Sequence, residues 1–139
     1  MPEILALQRL AFQENAARYN DDNIPPLLQT LEELLDEAKT HVILKAFNEC
    51  GIIGSVRICR HDGYCYIGRL IVYPDHQNRG LGSRLLSAAE SVFDTPRYEL
   101  TTGHLDEKNI ALYTKSGYRT GRKEKISDNL YFIHMEKMV

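Results

Sequence analysis

The sequence predicts an α+β fold in which helices flank a mixed, mainly antiparallel central sheet. Three observations predict it. Apolar residues follow helical spacing before residue 40, an alternation of period two begins after it, and a later helical stretch separates hairpin-forming strands from a further strand. The 139 residues fit a single domain, residues 1–139, because domains commonly run to roughly 100–150 residues.

Two helices are predicted ahead of the sheet. Residues 3–19 carry apolar side chains at helical spacing, and the Asn/Asp-rich and proline-containing run at 20–26 cannot continue that helix. Thr30 followed by Glu33 predicts a capping box that opens the second helix. The residues expected on its inward face are Leu31, Leu34, Leu35 and Ala38.

The remaining elements are predicted from periodicity and turn signals. Strands are expected at 41–47, 52–59, 64–72, 98–102, 118–126 and 130–138, and helices at 80–93 and 109–116. Asp62-Gly63 is a strong hairpin signal, and Gly117 is typical of a helix C-terminus. The helix at 80–93 must cross over to a strand roughly parallel to the one before it, so the sheet is mixed.

Composition argues against several classes of function. The hydrophobic fraction of 43% and the charged fraction of 26% are ordinary for a globular protein, and a net charge of -2 gives no reason to expect nucleic acid as a partner. No apolar run approaches the ~20 residues of a membrane span, and the opening residues do not match a signal peptide. Cys50, Cys59 and Cys65 lack metal-ligand spacing and suit a reducing interior. We therefore expect a soluble cytoplasmic protein without a metal.

The most informative segment leads from the third strand into the helix at 80–93. Gly80 and Gly82 open that helix, whose first N–H groups lack internal partners and carry about half a positive charge. Glycines leave these donors accessible to phosphate oxygens, and the guanidinium groups of Arg79 and Arg84 suit the same oxygens. The segment predicts a phosphorylated ligand, unless the glycines only shape a tight turn.

Two common nucleotide motifs do not fit this segment. A Walker loop requires Gly-Lys-Ser/Thr at the helix start, whereas here the residues are Gly82, Ser83 and Arg84. A dinucleotide fingerprint requires a third glycine, but Leu85 occupies that position here. It also follows the first strand of a βαβ unit, whereas this segment follows a strand that is part of a hairpin.

Two segments resemble the GCN5-related N-acetyltransferase (GNAT) superfamily. The first, Gln77-Asn78-Arg79-Gly80-Leu81-Gly82, resembles its Q/R-x-x-G-x-G/A pyrophosphate loop and follows a strand like the one that carries the family's acyl site. The second, Asn109 to Tyr118, is similar to the N-x-x-A-x-x-x-Y-x-x-x-G-F/Y segment in compressed form. The resemblance implies an acetyl-CoA-binding core at 40–139 and a helical acceptor-side region at 1–39.

The resemblance also implies roles for individual residues. Backbone groups of Ile71 and Val72 would bind the pantetheine arm and thioester carbonyl of acetyl-CoA, and Asn109 would contact the arm. Tyr113 would place its hydroxyl near the leaving sulfur. Because a thiol has a pKa near ~8.5 and a phenol near ~10, Tyr113 serves better as a hydrogen-bond donor than as an obligatory acid. The residues expected to hold the diphosphate are Gln77, Asn78, Arg79, Gly80, Leu81, Gly82, Ser83 and Arg84.

The general base is the main departure from the family pattern. Many relatives place a glutamate on the acyl-site strand, six residues before the valine, and this position is Tyr66 here. His104, just past the strand at 98–102, is the first substitute, although a loop histidine with structural partners explains it equally well. Glu99, Asp75 and a water chain stay open.

Acceptor binding is expected from the N-terminal helices and their connection. The candidates are Asn20, Asp21 and Tyr66, although an Asx-rich turn would explain the two polar residues equally well. We predict direct transfer of an acetyl group to a primary amine of a small molecule or peptide, since no cysteine lies in a Cys/His nucleophile pattern. A non-catalytic acyl-CoA-binding sensor or partner module is the alternative, and a nucleotide-binding protein is a third possibility. The sequence also leaves open a homodimer through the C-terminal strands.

Overall fold

The computed structural model confirms the α+β fold class. It describes residues 2–19, 29–49, 51–73, 77 and 80–139, and for residues 14–19 it describes the backbone alone. The helices in these ranges are α1 (Pro2–Tyr19), α2 (Leu31–Glu37), α3 (Leu81–Ala89) and α4 (Glu107–Lys115). The strands are β1 (Val42–Asn48), β2 (Gly51–His61), β3 (Tyr64–Val72), β4 (Arg97–Gly103), β5 (Arg119–Lys125) and β6 (Tyr131–Met138).

The strands form one sheet in the order β1-β2-β3-β4-β6-β5. Every neighbouring pair is antiparallel except β3 and β4, which run parallel. Their register is confined to Cys65 opposite Tyr98 and Tyr66 opposite Glu99. On its other edge β4 pairs with β6 along its whole length, from Arg97 to Gly103. The two halves of the sheet therefore separate after Tyr66, and a gap opens between β3 and β4.

Helices cover both faces of this sheet. On one face α3 and α4 pack on β2 and β3 through a cluster that includes Val56, Ile67, Leu86 and Tyr113. On the other face Ile4, Leu5 and Leu34 of α1 and α2 form a smaller cluster. These two layers fix the position of the gap, because each helix pair is anchored to strands that border it.

The start of α2 is confirmed in detail. Thr30 Oγ1 accepts a hydrogen bond from Glu33 N at 3.2 Å, and Glu33 Oε1 accepts one from Thr30 N at 3.1 Å, which is the predicted capping box. The prediction for its inward face was wrong at Leu35, which is 47% exposed while Leu34 is fully buried. A helix of two turns places only one row of side chains against the sheet.

Two other helix boundaries differ from the prediction. The third predicted helix ends at Ala89 rather than at residue 93, because the chain continues in tighter turns in which Ser91 N donates to Ala88 O and Val92 N to Ala89 O. The fourth begins at Glu107 rather than at residue 109, because Asp106 caps it.

Candidate active site

A β-bulge lies on β3 where this strand has parted from β4. Ser55 of β2 is opposite Ile71, and Arg57 is opposite Gly68, so the two β3 residues Arg69 and Leu70 face a single residue of β2. Arg69 has a φ of 50°, a conformation that costs a non-glycine residue roughly 1–3 kcal/mol. Bulges of this kind redirect side chains and are common beside binding sites.

The gap between β3 and β4 holds a cavity of about 360 Å³. Phe12, Glu37 and Arg57 line it from the α1/α2 face, whereas Asn109 and Tyr113 line it from the α4 face. Its middle is lined by the diverging strands themselves, at residues 66–70 of β3 and 101–103 of β4. The cavity thus passes through the sheet, and two ligands that enter from opposite faces can meet inside it.

Tyr113 is buried, with 5% of its surface exposed, and lines this cavity. No group in the described part of the chain hydrogen-bonds to its hydroxyl. Burial, with smaller contributions from Asp106 and Tyr66, raises the pKa of Tyr113 well above its ordinary value. The hydroxyl therefore stays protonated at neutral pH and can donate a hydrogen bond to a ligand.

Asn109 lies one turn before Tyr113 and also lines the cavity. Its side-chain Nδ2 donates to Asp106 Oδ2 at 2.8 Å, and its backbone N donates to Asp106 Oδ1 at 3.3 Å. Part of the hydrogen-bonding capacity of Asn109 is therefore used to hold the start of α4. Sequence reasoning missed Asp106 itself, although an aspartate ahead of a helical pattern is a typical N-cap signal.

The glycine turn has the conformation of a helix start with accessible amides. Gly80 has a φ of 79°, and a side chain there would meet nothing within 4 Å. Glycine is therefore needed at this position for its backbone conformation and not for lack of space. Among the described residues, no protein group accepts from the amides of Leu81, Gly82 and Ser83. The side chains of Ser83 and Arg84 are exposed beside them.

Two residues of the turn also have structural roles. A Cβ at Gly82 would lie 3.3 Å from Leu112 Cδ2, so this glycine allows α3 to approach α4 closely. Gln77 Nε2 donates to the carbonyl oxygen of Val72 at 3.3 Å and thereby ties the turn to the end of β3. Ile71 is buried and Val72 is partly buried, between this turn and the cavity. Asn20, Asp21, Asp75, Asn78 and Arg79 lie outside the described residues.

The structure does not bring His104 to the cavity. Its Nδ1 accepts from Tyr131 N at 3.0 Å, and its ring packs edge-on against the ring of Tyr131 at 5.3 Å. His41, which sequence reasoning missed, lines the cavity instead. Its Nδ1 lies 3.0 Å from the carbonyl oxygen of Glu37. A carbonyl oxygen can only accept, so this contact fits the tautomer with the proton on Nδ1; Thr40 Oγ1 lies 2.9 Å from the same nitrogen, and Glu37 Oε1 lies 3.9 Å from Nε2.

Tyr66 lines the cavity at the point where β3 and β4 separate. Its hydroxyl lies 2.6 Å from Thr101 Oγ1 and bridges the two strands beyond their last paired residues. Glu99, another candidate base, forms an ion pair with Arg97 at 2.7 Å and does not line the cavity. Tyr66 has no carboxylate, and the carboxylate of Glu99 is paired with Arg97 away from the cavity lining.

A buried ion pair lines the cavity on its α1/α2 side. Arg57, which is 2% exposed, donates from Nη1 to Glu37 Oε2 at 2.8 Å and to Gln29 Oε1 at 3.2 Å, and from Nη2 to Gln8 Oε1. Burial raises the pKa of Glu37, but the hydrogen bond from Gln29 and the charge of Arg57 outweigh it, so the net pKa is lowered. Glu37 is thus ionised and a weak proton acceptor.

No group of three or more His, Cys, Asp or Glu side chains within the described residues could hold a metal ion. None of their helices is long and apolar enough to span a membrane.

Comparison with known proteins agrees with this geometry. The model of the acetyltransferase (GNAT) family matches residues 1–118. A relative, the UPF0157 protein YqkA of Bacillus subtilis (strain 168), is 28% identical over 130 residues. The match covers 92% of this chain but 37% of that protein, so the chain spans little more than a third of its relative's length.

Solved structures share the fold. The PaiA N-acetyltransferase of Thermoplasma acidophilum, solved with coenzyme A, superposes with a TM-score of 0.74 at 17% identity, covering 98% of this chain and 91% of that one. A GNAT family acetyltransferase of Elizabethkingia anophelis with acetyl-CoA bound gives 0.66 at 21% identity, covering 79% and 84%. With a family model that matches most of its length and the fold of these neighbours, the chain belongs to the acetyltransferase (GNAT) family.

Proposed function

We propose that this chain transfers an acetyl group from acetyl-CoA directly to a primary amine of a small molecule or peptide. The observation that carries the proposal is the cavity through the β3–β4 gap, which admits one reactant from each face of the sheet and has the free hydroxyl of Tyr113 on its wall. Direct transfer requires both reactants at once, and a passage through the sheet allows this.

Acetyl-CoA would bind along a continuous path on one side of the site. Its diphosphate would accept hydrogen bonds from the amides of Leu81, Gly82 and Ser83, which have no acceptor in the described part of the chain. The pantetheine arm would then follow the edge of β3 that β4 has left, past Val72 and Ile71. It would reach the cavity at Leu70, where the thioester would lie.

The chemistry proposed for this cavity is attack of the neutral amine on the thioester carbonyl carbon. A C–N bond forms and the C–S bond breaks, so that the electron pair of the C–S bond leaves on sulfur. Tyr113 would donate a hydrogen bond to that sulfur as its negative charge develops. The ammonium must lose one proton before the attack, and in the tautomer protonated at Nδ1 the Nε2 of His41 on the cavity wall would accept it. After the C–N bond forms, the nitrogen loses a second proton, which the departing thiolate takes up.

The choice of base is tested by a matched pair of variants. We expect His41→Gln to lower kcat/KM for the amine by roughly 100-fold, since general bases contribute on the order of 10²–10⁴. His104→Gln should retain most of the activity, because this ring lies outside the cavity lining and bonds to the backbone of Tyr131. The opposite ranking of the two variants would return the role to His104.

The proposed activity is tested by measuring thiol release from acetyl-CoA with polyamines, amino acids, aminoglycosides and peptides as acceptors. Release that depends on an added amine, with N-acetylated product detected by mass spectrometry, is the expected result. Acetyl-CoA binding without amine-dependent release would favour the non-catalytic module. That alternative is supported by Tyr66, whose hydroxyl bonds to Thr101 at a position where many relatives have a carboxylate.

A further inference from the structure

The acceptor side of the cavity contains a second arginine, Arg69, whose surroundings differ from those of Arg57. Arg69 is partly buried, lines the cavity and stands on the β3 bulge with its φ of 50°. The bulge places it beside Leu70, the residue at which the proposed path of acetyl-CoA enters the cavity. The bulge redirects the side chain at this point of the strand.

Arg69 has no hydrogen bond or ion pair with any residue that the structure describes. Arg57, in contrast, is held by Glu37, Gln29 and Gln8. Burial, followed by the like charge of Arg57, lowers the pKa of Arg69, and Glu37 offsets only part of this. Its environment therefore favours the charged form less than water does.

The carboxylates that line the cavity are already committed. Glu37 accepts from Arg57 and from Gln29, at 2.8 and 2.6 Å. Asp106 accepts from the backbone and side chain of Asn109 at the start of α4. No carboxylate among the described lining residues is left to pair with Arg69, so the anion that it binds would come from a ligand. The thioester end of acetyl-CoA is uncharged, and its phosphates would lie at the turn before α3, so this anion belongs to the acceptor.

We infer that Arg69 binds a carboxylate of the acceptor, so that the substrate class is an amine that also carries a carboxylate, such as an amino acid. This inference rests on the proposed function. A guanidinium presents two parallel donors that match a carboxylate, and such charge-assisted pairs are strong in a partly buried site. Because Arg69 adjoins the expected thioester position, a carboxylate bound there would hold a nearby amino group next to the thioester carbonyl carbon.

The test compares matched acceptors that differ only at the carboxylate: L-phenylalanine, L-phenylalaninamide and phenethylamine. Each is assayed for acetyl-CoA-dependent thiol release and, in the presence of CoA, for its effect on Tm. We expect the parent protein to prefer the amino acid by about 10- to 100-fold in kcat/KM and to be stabilised by it more than by the amide. Arg69→Gln should lower kcat/KM for the amino acid far more than for the amide, mainly through KM, and Arg69→Lys should keep part of the preference.

The control is Arg119→Gln, which removes an exposed arginine from the edge strand β5 and should leave the preference intact. Equal kcat/KM and equal Tm shifts for amino acid and amide in the parent would overturn the inference. So would a preference that survives in Arg69→Gln. Stabilisation specific to the carboxylate and lost in Arg69→Gln, but without turnover of any acceptor, would overturn the proposed function and support the binding site.

Discussion

Tyr113 and Tyr118 are neighbours with different tasks. Their rings are in edge contact at 6.1 Å, and both are buried. The hydroxyl of Tyr118 donates to Glu90 Oε2 at 2.7 Å, whereas that of Tyr113 faces the cavity without a partner among the described residues. One hydroxyl therefore contributes to the stability of the core and the other is available to a ligand.

The two tyrosines give a matched test of the hydroxyl in the cavity. We expect Tyr113→Phe to lower kcat by roughly 100-fold, the effect typical of losing one donor to a developing negative charge, with little change in acetyl-CoA affinity or stability. Tyr118→Phe should instead lower the free energy of unfolding by about 1–3 kcal/mol, because it leaves Glu90 short of a donor. Steady-state kinetics and urea unfolding measure both effects. Equal turnover in Tyr113→Phe and the parent would remove Tyr113 from the mechanism.

At the level of single residues, the sequence identifies site residues that lie in a motif, but not those that reach the site only when the chain folds. Tyr113 and the glycines could be named because they lie in recognisable segments. His41 and Arg69 could not, since their significance depends on a cavity built from several elements. His104 was placed near the site from its position after β4, but its ring bonds to the backbone at the start of β6.

Among the elements, the turn before α3 can be compared with the β2–β3 turn, because each has a glycine in the same backbone conformation. Gly80 and Gly63 both have positive φ, 79° and 84°, and in both cases a side chain would meet nothing within 4 Å. Alanine at either position should therefore cost about 1–2 kcal/mol of stability from backbone strain. Comparing the two alanine variants therefore separates the effect of backbone strain from a role in ligand binding.

We expect Gly80→Ala to weaken CoA binding by roughly 10-fold, since the distorted turn misdirects amides that each contribute about 1.5 kcal/mol or more when bonded to a charged group. Gly63→Ala, in the β2–β3 hairpin, should lose similar stability with no change in affinity. Isothermal titration with CoA measures the difference. If both variants bind CoA like the parent, the turn does not hold the diphosphate.

The Arg57–Glu37 pair connects α2 to β2 and makes stability depend on pH. Because the pKa of Glu37 is lower in the folded than in the unfolded chain, its ionised form stabilises the fold above the ordinary glutamate pKa of about 4.3. This contribution is lost as the pH falls through the lowered pKa. We expect Glu37→Gln to lower the free energy of unfolding by about 3 kcal/mol at pH 7, since it leaves Arg57 buried without a counter-charge.

The deficit of Glu37→Gln should shrink as the pH is lowered below about 4.3, where the parent also begins to lose the charge. Urea unfolding at several pH values measures this. In the double variant Arg57→Met/Glu37→Gln, the loss should be smaller than the sum of the two single losses. A deficit that is constant with pH would show that the Glu37 charge does not stabilise the fold.

Element boundaries were predictable where the signal is local. β3 runs from Tyr64 to Val72 as predicted, because Asp62-Gly63 starts it and a proline follows Tyr73. The end of α3 was not, since the chain changes to tighter turns through Val92 while the apolar spacing continues. The bulge at Arg69 also has no signature in the alternation of apolar residues, because it follows from how β2 and β3 pair.

For the whole molecule, the decisive feature is the separation of β3 from β4. Parallel pairing ends at Tyr66, and the sheet opens into a cavity that joins its two faces. The sequence did not predict that Tyr66 would bridge this opening to Thr101 or that two arginines would line it. The chain's fold and family thus agree with its motifs, whereas the lining of the cavity is visible only in the folded protein.

A crystal structure of the protein with acetyl-CoA tests the central claim most directly. We expect the diphosphate within hydrogen-bond distance of the amides of Leu81, Gly82 and Ser83, the pantetheine arm along β3, and the sulfur beside the Tyr113 hydroxyl. A bound cofactor whose diphosphate lies elsewhere, or whose thioester does not enter the gap between β3 and β4, would contradict the account.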